Sequence, residues 1–243
     1  VDKIQKEHWS PDAVCGHVKA QRKFGNATVC TKTLYHYIDL GLLPVKNIDL
    51  PVKVSRNTKT KRIRQHKKVL GTSIEHRPAH INAREEFGHW EIDTVLGSRT
   101  QGAALLTLTE RKTRHEHILK MSGKTAVCVR EALQALKHIY GSIFSKVFKT
   151  ITADNGSEFS QLSESLEPTQ QVYYTHPYTS CERGTNERHN GLIRRFIPKG
   201  KSMDDIQDSL IAYVENWCNT LPRKLLGYRS TSDVFHEELK AIT

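Results

Sequence analysis

The 243-residue chain carries 37 Lys and Arg against 26 Asp and Glu, a formal net charge of +11, with 26% of its residues charged and 37% apolar. The length and apolar content suit one large domain, or a main domain with an appendage; no apolar run is long enough to span a bilayer, which excludes a helical membrane protein, and the start does not read as a signal peptide. The basic excess points to a polyanion, nucleic acid first, because Lys and Arg displace condensed counterions from phosphates; a merely soluble basic protein is the alternative.

Cys15, Cys30, Cys128, Cys181 and Cys218 are scattered, odd in number and without a CxxC pair, so they mark neither a zinc site nor a disulfide framework, and reduced cytosolic thiols are expected. The chain begins at Val1, as a fragment with missing upstream sequence would.

In chain order, residues 1–43 read as a small helical module. Ser10-Pro11-Asp12 starts a helix, with Ser10 as cap, Pro11 in the first turn and Asp12 at the positive end of the dipole; Val14, Val18 and Cys15 form its apolar stripe. Thr31 is the expected cap of a second helix, with Leu34, Tyr37 and Ile38 inward and Gly41 as terminator. This pattern resembles a helix-turn-helix; a two-helix packing or dimerisation element is the competing reading. Residues 44–86 form a basic linker or arm, with Arg56, Lys61, Arg62 and Arg64 placed to follow phosphate backbones; a solvated tether is the alternative.

The core occupies 87–243. HWEIDTVLG is a strand that alternates His89, Glu91 and Asp93 on one face with Trp90, Ile92 and Thr94 on the other. GAALLTLTE and RHEHILK continue it as an antiparallel meander. KTAVCVREALQALKHIY is an amphipathic helix with Val127, Ala132, Leu133, Leu136 and Ile139 inward. VFKTITADNG is a fourth strand ending at Asp154, EFSQLSESL a short helix and QQVYY a fifth strand. A helix over about Thr185–Phe196 follows, with Leu192, Ile193 and Phe196 as core. The next helix turns Ile206, Leu210, Tyr213 and Trp217 to one side, before a turn and a closing helix. Three strands, a helix, two more strands and further helices predict an α/β mixed sheet flanked by helices, with reactive groups at strand ends and adjoining helix termini.

Asp93, Asp154 and Glu187 then read as one cluster: two acids at strand ends and one in the first turns of a helix. Carboxylate oxygens so grouped suit Mg²⁺ or Mn²⁺, and two such ions activate the attacking and stabilise the leaving oxygen of an in-line phosphoryl displacement. Singly, each acid is equally a turn former, a cap or an ion-pair partner. Glu91 and Glu158 are accessory acids ranked below these three.

GHWEIDTVLG, TADNGSEF and HPYTS-ERGTNERHNGLIRRFIPKG closely resemble the catalytic core of bacterial insertion-sequence transposases of the IS30 family, over roughly Phe87 to Phe235. These are DDE transposases, related to retroviral integrases. The resemblance implies a ribonuclease-H-like fold and carries the catalytic, metal-binding triad onto Asp93, Asp154 and Glu187. It implies metal-dependent cleavage of transposon ends by water, then attack of the freed 3′-hydroxyl on target DNA, without a covalent enzyme–DNA intermediate. Family members carry Trp where this chain has Cys181, and a further N-terminal DNA-binding region that these residues do not supply.

Around Glu187, Arg183, Arg188, Asn190, Arg194, Arg195, Lys199 and Lys201 are expected to hold the phosphates flanking the scissile bond, fixing position rather than sequence; a solvated basic helix face is the alternative. The expected partners are double-stranded DNA, as transposon ends and target, and a second copy of the chain in a homodimer or higher oligomer on DNA, at the bacterial nucleoid. A ribonuclease-H-like nuclease or resolvase that cuts without joining, and an inactive DNA-binding regulator, are the competing functions.

Overall fold

The computed structural model describes residues 1–24, 28–50, 70–97, 102–177, 182 and 184–243. The chain divides into two compact units, Val1–Ile63 with Thr220–Val234, and Arg64–Asn219 with Phe235–Thr243.

In the first unit, α1 (Asp2–Gln5), α2 (Pro11–Ala20) and α3 (Thr31–Asp39) enclose a small core of Ile4, Ile38, Val45 and Leu50, against which Val14, Leu34, Tyr35 and Leu43 pack. Ser10 caps α2 as expected, its Oγ accepting from the Ala13 N–H at 3.2 Å. The cap of α3 is Cys30 rather than Thr31: the Thr33 N–H reaches the Cys30 sulfur at 3.5 Å, while the Thr31 hydroxyl donates to Asp12 at 3.3 Å. Within the same unit the Tyr228 ring lies on Gly16, where an added Cβ would come within 2.0 Å of the ring, and the Tyr228 hydroxyl donates to Asp12 at 3.3 Å.

The second unit is built on a five-stranded sheet of β1 (His89–Leu96), β2 (Ala104–Glu110), β3 (Glu116–Met121), β4 (Thr150–Ala153) and β5 (Gln171–Tyr174), ordered 3-2-1-4-5. β1, β2 and β3 pair antiparallel; β4 and β5 run parallel to β1. This is the mixed sheet flanked by helices that the sequence predicts. One face carries the apolar core. Trp90 and Ile92 of β1, with Leu106 and Leu108 of β2, meet Val129, Leu133 and Leu136 of α5 (Ala126–Tyr140) and Phe144, Val147 and Phe148 around α6 (Phe144–Val147). Trp90 is fully buried; it stacks on Phe148 at 4.5 Å between centroids, and its Nε1–H donates to the Val147 carbonyl at 2.7 Å. Such a ring, buried with its N–H satisfied, is a dominant packing anchor.

Both edges of the sheet are covered. On β3, Asn219 and Glu215 of α8 (Asp208–Thr220) accept from the Glu116 and Ile118 N–H groups, each at 2.9 Å, and the Asn219 amide donates to the Glu116 carbonyl at 2.8 Å. On β5, Ser73 bridges Tyr174 in parallel and the Tyr174 N–H donates to the Thr72 carbonyl at 2.8 Å. Side chains and a short bridge thus satisfy edge groups that would otherwise template further pairing.

Several predicted helix faces are rotated. In α5 Val127 and Ile139 are exposed, and Val129 and Tyr140 take the inward places, so the stripe runs 129, 132, 133, 136, 140. α8 starts at Asp208, and its buried stripe is Ile211, Val214, Trp217 and Cys218; Tyr213 is exposed, Leu210 half-buried, and Ile206 is buried from the turn before the helix. α7 (Gly184–Ile193) is shorter than expected, with Ile193 buried and Leu192 and Phe196 half-buried. The segment expected as a short helix forms two 3-10 turns, Ser157–Phe159 and Ser163–Ser165.

The chain turns into β1 at Gly88. Its φ of +103° is open to glycine alone, and an added Cβ there would lie 3.1 Å from the Lys146 carbonyl. Gly88→Ala is expected to destabilise the unit by about 1–3 kcal/mol; a urea titration with an unchanged midpoint would refute this.

Candidate active site

The second sheet face is polar around the middle of β1, where Glu91 and Asp93 lie level with Thr107, Thr109 and Thr152, and apolar beyond it at Val95, Leu105 and Ile118. Asp93 lies on β1 and Asp154 immediately follows β4, on strands whose parallel register pairs Glu91 with Thr152. Carrying that register on by two residues sets Asp93 level with Asp154, and residues so matched share a face. Both carboxylates are half-buried and oriented by neutral donors. Asp93 accepts from the Asn190 amide at 2.7 Å and its neighbouring Thr94 N–H at 2.9 Å; Asp154 accepts from the Gly156 N–H at 2.8 Å, closing an Asx turn. Asn155 fixes that turn, accepting from the Leu70 N–H at 2.9 Å and donating to the Thr175 carbonyl at 2.5 Å.

Glu187 stands exposed in the first turn of α7, which packs on β1 and β2. Asn190 lies three residues later on the same helix face, so the bond that orients Asp93 also fixes α7 against β1. Asp93, Asp154 and Glu187 offer oxygen only, the donor chemistry of hard divalent cations. Their ligand atoms do not all fall within 4.8 Å of one another; among the described residues the group that meets this spacing is His80, Glu86 and His89.

Beneath α7 lies a buried polar layer that the sequence alone does not reveal. Glu91 is wholly buried; its Oε1 accepts from Arg111 at 2.6 Å and its Oε2 from the Asn186 N–H at 3.2 Å, in the first turn of α7. Arg114 donates to the Thr185 hydroxyl at 2.9 Å and Arg77 to the Thr152 hydroxyl at 3.0 Å. Burial lowers Arg111 and pulls Arg77 and Arg114 down to about 10. His189 pairs with the buried Glu116 on β3, a further tie to α7. Glu91 is therefore an anchor of α7 rather than an accessory ligand. Glu158, also buried, accepts from Thr94 at 3.0 Å and pairs with Lys124 at 3.1 Å. The signal for this layer is ERKTRHE at the β2–β3 turn. The sequence reads it only as the link of an antiparallel meander, yet residues 110–116 are buried except the half-buried Lys112.

The basic residues divide. Arg188, Lys199 and Lys201 are exposed. Arg194 donates to the Leu96 carbonyl at 2.6 Å and Arg195 lies over the Trp217 ring at 5.3 Å; burial lowers both pKa values. These two contacts hold the end of α7 to its own unit. Arg56, Lys61, Arg62, Arg64 and Arg183 lie outside the described residues. No helix among the described residues is long and apolar enough to cross a membrane.

No protein-family profile matches the chain. It is 46% identical over 208 residues to a probable transposase for the insertion-like sequence element IS1161 of Streptococcus salivarius, an alignment covering 84% of this chain and 58% of that protein. It is 34% identical over 244 residues to the transposase for insertion sequence element IS4351 of Bacteroides fragilis, covering 97% and 71%. With transposase InsI for element IS30C of Escherichia coli K12 it shares 35% identity over 167 residues, covering 68% and 42%. The chain thus spans little more than half the length of the first of these relatives. Among solved structures, the catalytic core domain of BIV integrase aligns with a TM-score of 0.48 at 13% identity, over 64% of this chain and 98% of that one.

Proposed function

This chain belongs to the family of insertion-sequence transposases that includes the IS30 elements, and on that premise we propose that it is the catalytic part of a DDE transposase acting on double-stranded DNA. The observation that carries the reading is the shared register of Asp93 and Asp154, with Asn190 tying α7, and so Glu187, to Asp93. In this reading Asp93, Asp154 and Glu187 hold Mg²⁺ or Mn²⁺, two ions in the complete set. Bound there, the ions supply charge stabilisation at the attacking and leaving oxygens of the phosphodiester.

The chain's own residues do the rest. Asn190 and the Gly156 N–H hold two carboxylates in fixed orientations before substrate arrives, which lowers the reorganisation needed in the transition state. Arg188, Lys199 and Lys201 place exposed positive charge on and beyond α7, where the phosphates of the two strands would lie. Water breaks the bond at the element end and leaves a 3′-hydroxyl. That hydroxyl then displaces a 3′-oxygen in the target, so one phosphodiester forms as another breaks. Joining two ends calls for two copies of the chain, a homodimer on DNA that light scattering with paired ends would detect.

The test is an incubation of labelled element ends and target DNA with Mg²⁺ or Mn²⁺, beside Asp154→Asn. Joined products from the wild type that disappear without metal and in Asp154→Asn are expected. Metal-dependent nicking without joining would replace the transposase reading with a nuclease, and binding without any product would replace it with a regulator.

A further inference from the structure

Away from the three acids, at the start of β1, His80, Glu86 and His89 converge. His80 sits on the short helix α4 (Ala79–Ala83), which Arg84 closes at a left-handed φ of 60°. That turn brings Glu86 back beneath His80, and Gly88 then turns the chain into β1 at His89. The Glu86 Oε2 lies 3.3 Å from His80 Nε2 and 3.2 Å from His89 Nε2, and all three donor atoms fall within 4.8 Å of one another.

We propose that His80, Glu86 and His89 form a binding site for a transition-metal ion of the zinc class, separate from the acidic cluster and serving to pin the segment that leads into β1.

Four observations carry this. First, the two N···O separations match the edge of a tetrahedron whose ligand bonds are about 2.0–2.1 Å, an edge of about 3.3 Å. Second, His89 is 3% exposed and its buried Nε2 is ion-paired with Glu86 Oε2 at 3.2 Å, so a ring nitrogen and a carboxylate oxygen already face one another where a cation would sit. Third, the groups behind the ligands are arranged as supports for such a site. His89 Nδ1 is bonded to the buried Thr150 hydroxyl at 2.8 Å, which fixes the ring and leaves Nε2 facing the site. Lys149 donates to Glu86 Oε1 at 2.8 Å, which turns Oε2 toward the two histidines. Fourth, two imidazoles and one carboxylate favour Zn²⁺ or Co²⁺ over Mg²⁺, which prefers oxygen alone.

Among the described residues, the cation set against the cluster is the Lys149 ammonium, and it sits on the far carboxylate oxygen from the histidines. Three protein ligands leave a fourth position for water, as in an open site, but His80 is exposed and no second acid lies in the group, so the role assigned is structural. The site lies roughly 13 Å along β1 from Asp93, four residues at strand rise, too far to share an ion with the triad.

The experiment uses the full chain, stripped with chelator and titrated with Co²⁺ and with Zn²⁺. One equivalent of Co²⁺ is expected to give the visible bands of a four-coordinate ion, and Zn²⁺ to displace it and raise the melting temperature. His80→Ala, an exposed position whose loss leaves the fold intact, should weaken binding at least tenfold and remove the thermal shift. Thr150→Val should weaken it roughly 10–100-fold through the ring support alone. Glu187→Gln should bind Co²⁺ like the wild type. Binding that His80→Ala and Glu86→Gln leave unchanged would overturn the proposal, because the ion would then sit on other histidines or cysteines. So would the absence of a bound equivalent, or loss of the Co²⁺ bands in Glu187→Gln.

Discussion

Glu187→Gln is expected to abolish both cleavage and joining while leaving the fold and DNA binding intact. The carboxylate is exposed in the first turn of α7, so its replacement by an amide of the same shape removes no buried contact, and stability should stay within the range of ordinary surface substitutions, about ±0.5 kcal/mol. The chemical loss is of another order. An amide offers one neutral oxygen where the proposed site needs an anionic one, and a rate reduction of about 10³ or more corresponds to about 4 kcal/mol of lost transition-state stabilisation. A gel-resolved strand-transfer assay beside a binding isotherm checks both halves. Cleavage at the wild-type rate would remove Glu187 from the site, and lost binding with a lowered melting temperature would make its role structural.

What is legible in the sequence follows from where local pattern and tertiary context agree. β1 to β5 can be read because each is a short apolar or alternating run bounded by turn residues, and because Asp-Asn-Gly ends β4 with its own hydrogen bond. Helix faces are less legible. Which of Val127 or Val129, and which of Tyr213 or Val214, turns inward depends on where the helix starts and on what it lies against, and neither is written in a single helix's period. The polar layer is hidden for a different reason. Glu91 reads in the sequence as an accessory acid, with nothing to tie it to Arg111 or to the start of α7, and only the sheet register and α7 bring these groups together. Asn190 reads in the sequence as a phosphate contact near Glu187, whereas its amide donates to Asp93. Composition marks a charged group; it does not say whether a partner will be built around it.

Glu91→Gln is the second large effect expected, and it acts on stability and activity together. Glu91 uses one oxygen for Arg111 and the other for the Asn186 N–H, at zero exposure. Glutamine keeps a single acceptor, so either the Arg111 guanidinium or the first turn of α7 loses its partner while remaining buried. Breaking one side of a buried ion pair costs about 3–5 kcal/mol, because the other charge is left uncompensated. In a unit of this size that is a fall in melting temperature on the order of 10 °C. Joining should fall as well, even at temperatures where the variant is fully folded, because the helix that carries Glu187 and Asn190 is no longer fixed at its start. The paired replacement Glu91→Met with Arg111→Leu separates the two effects. Removing both charges restores much of the stability, but the Asn186 N–H still lacks an acceptor, so joining should remain low. Thermal melts and joining rates on the single and paired variants decide the matter. If the paired variant recovers activity along with stability, Glu91 matters only for the fold; if the single variant melts and joins like the wild type, the anchor assigned to it does not exist.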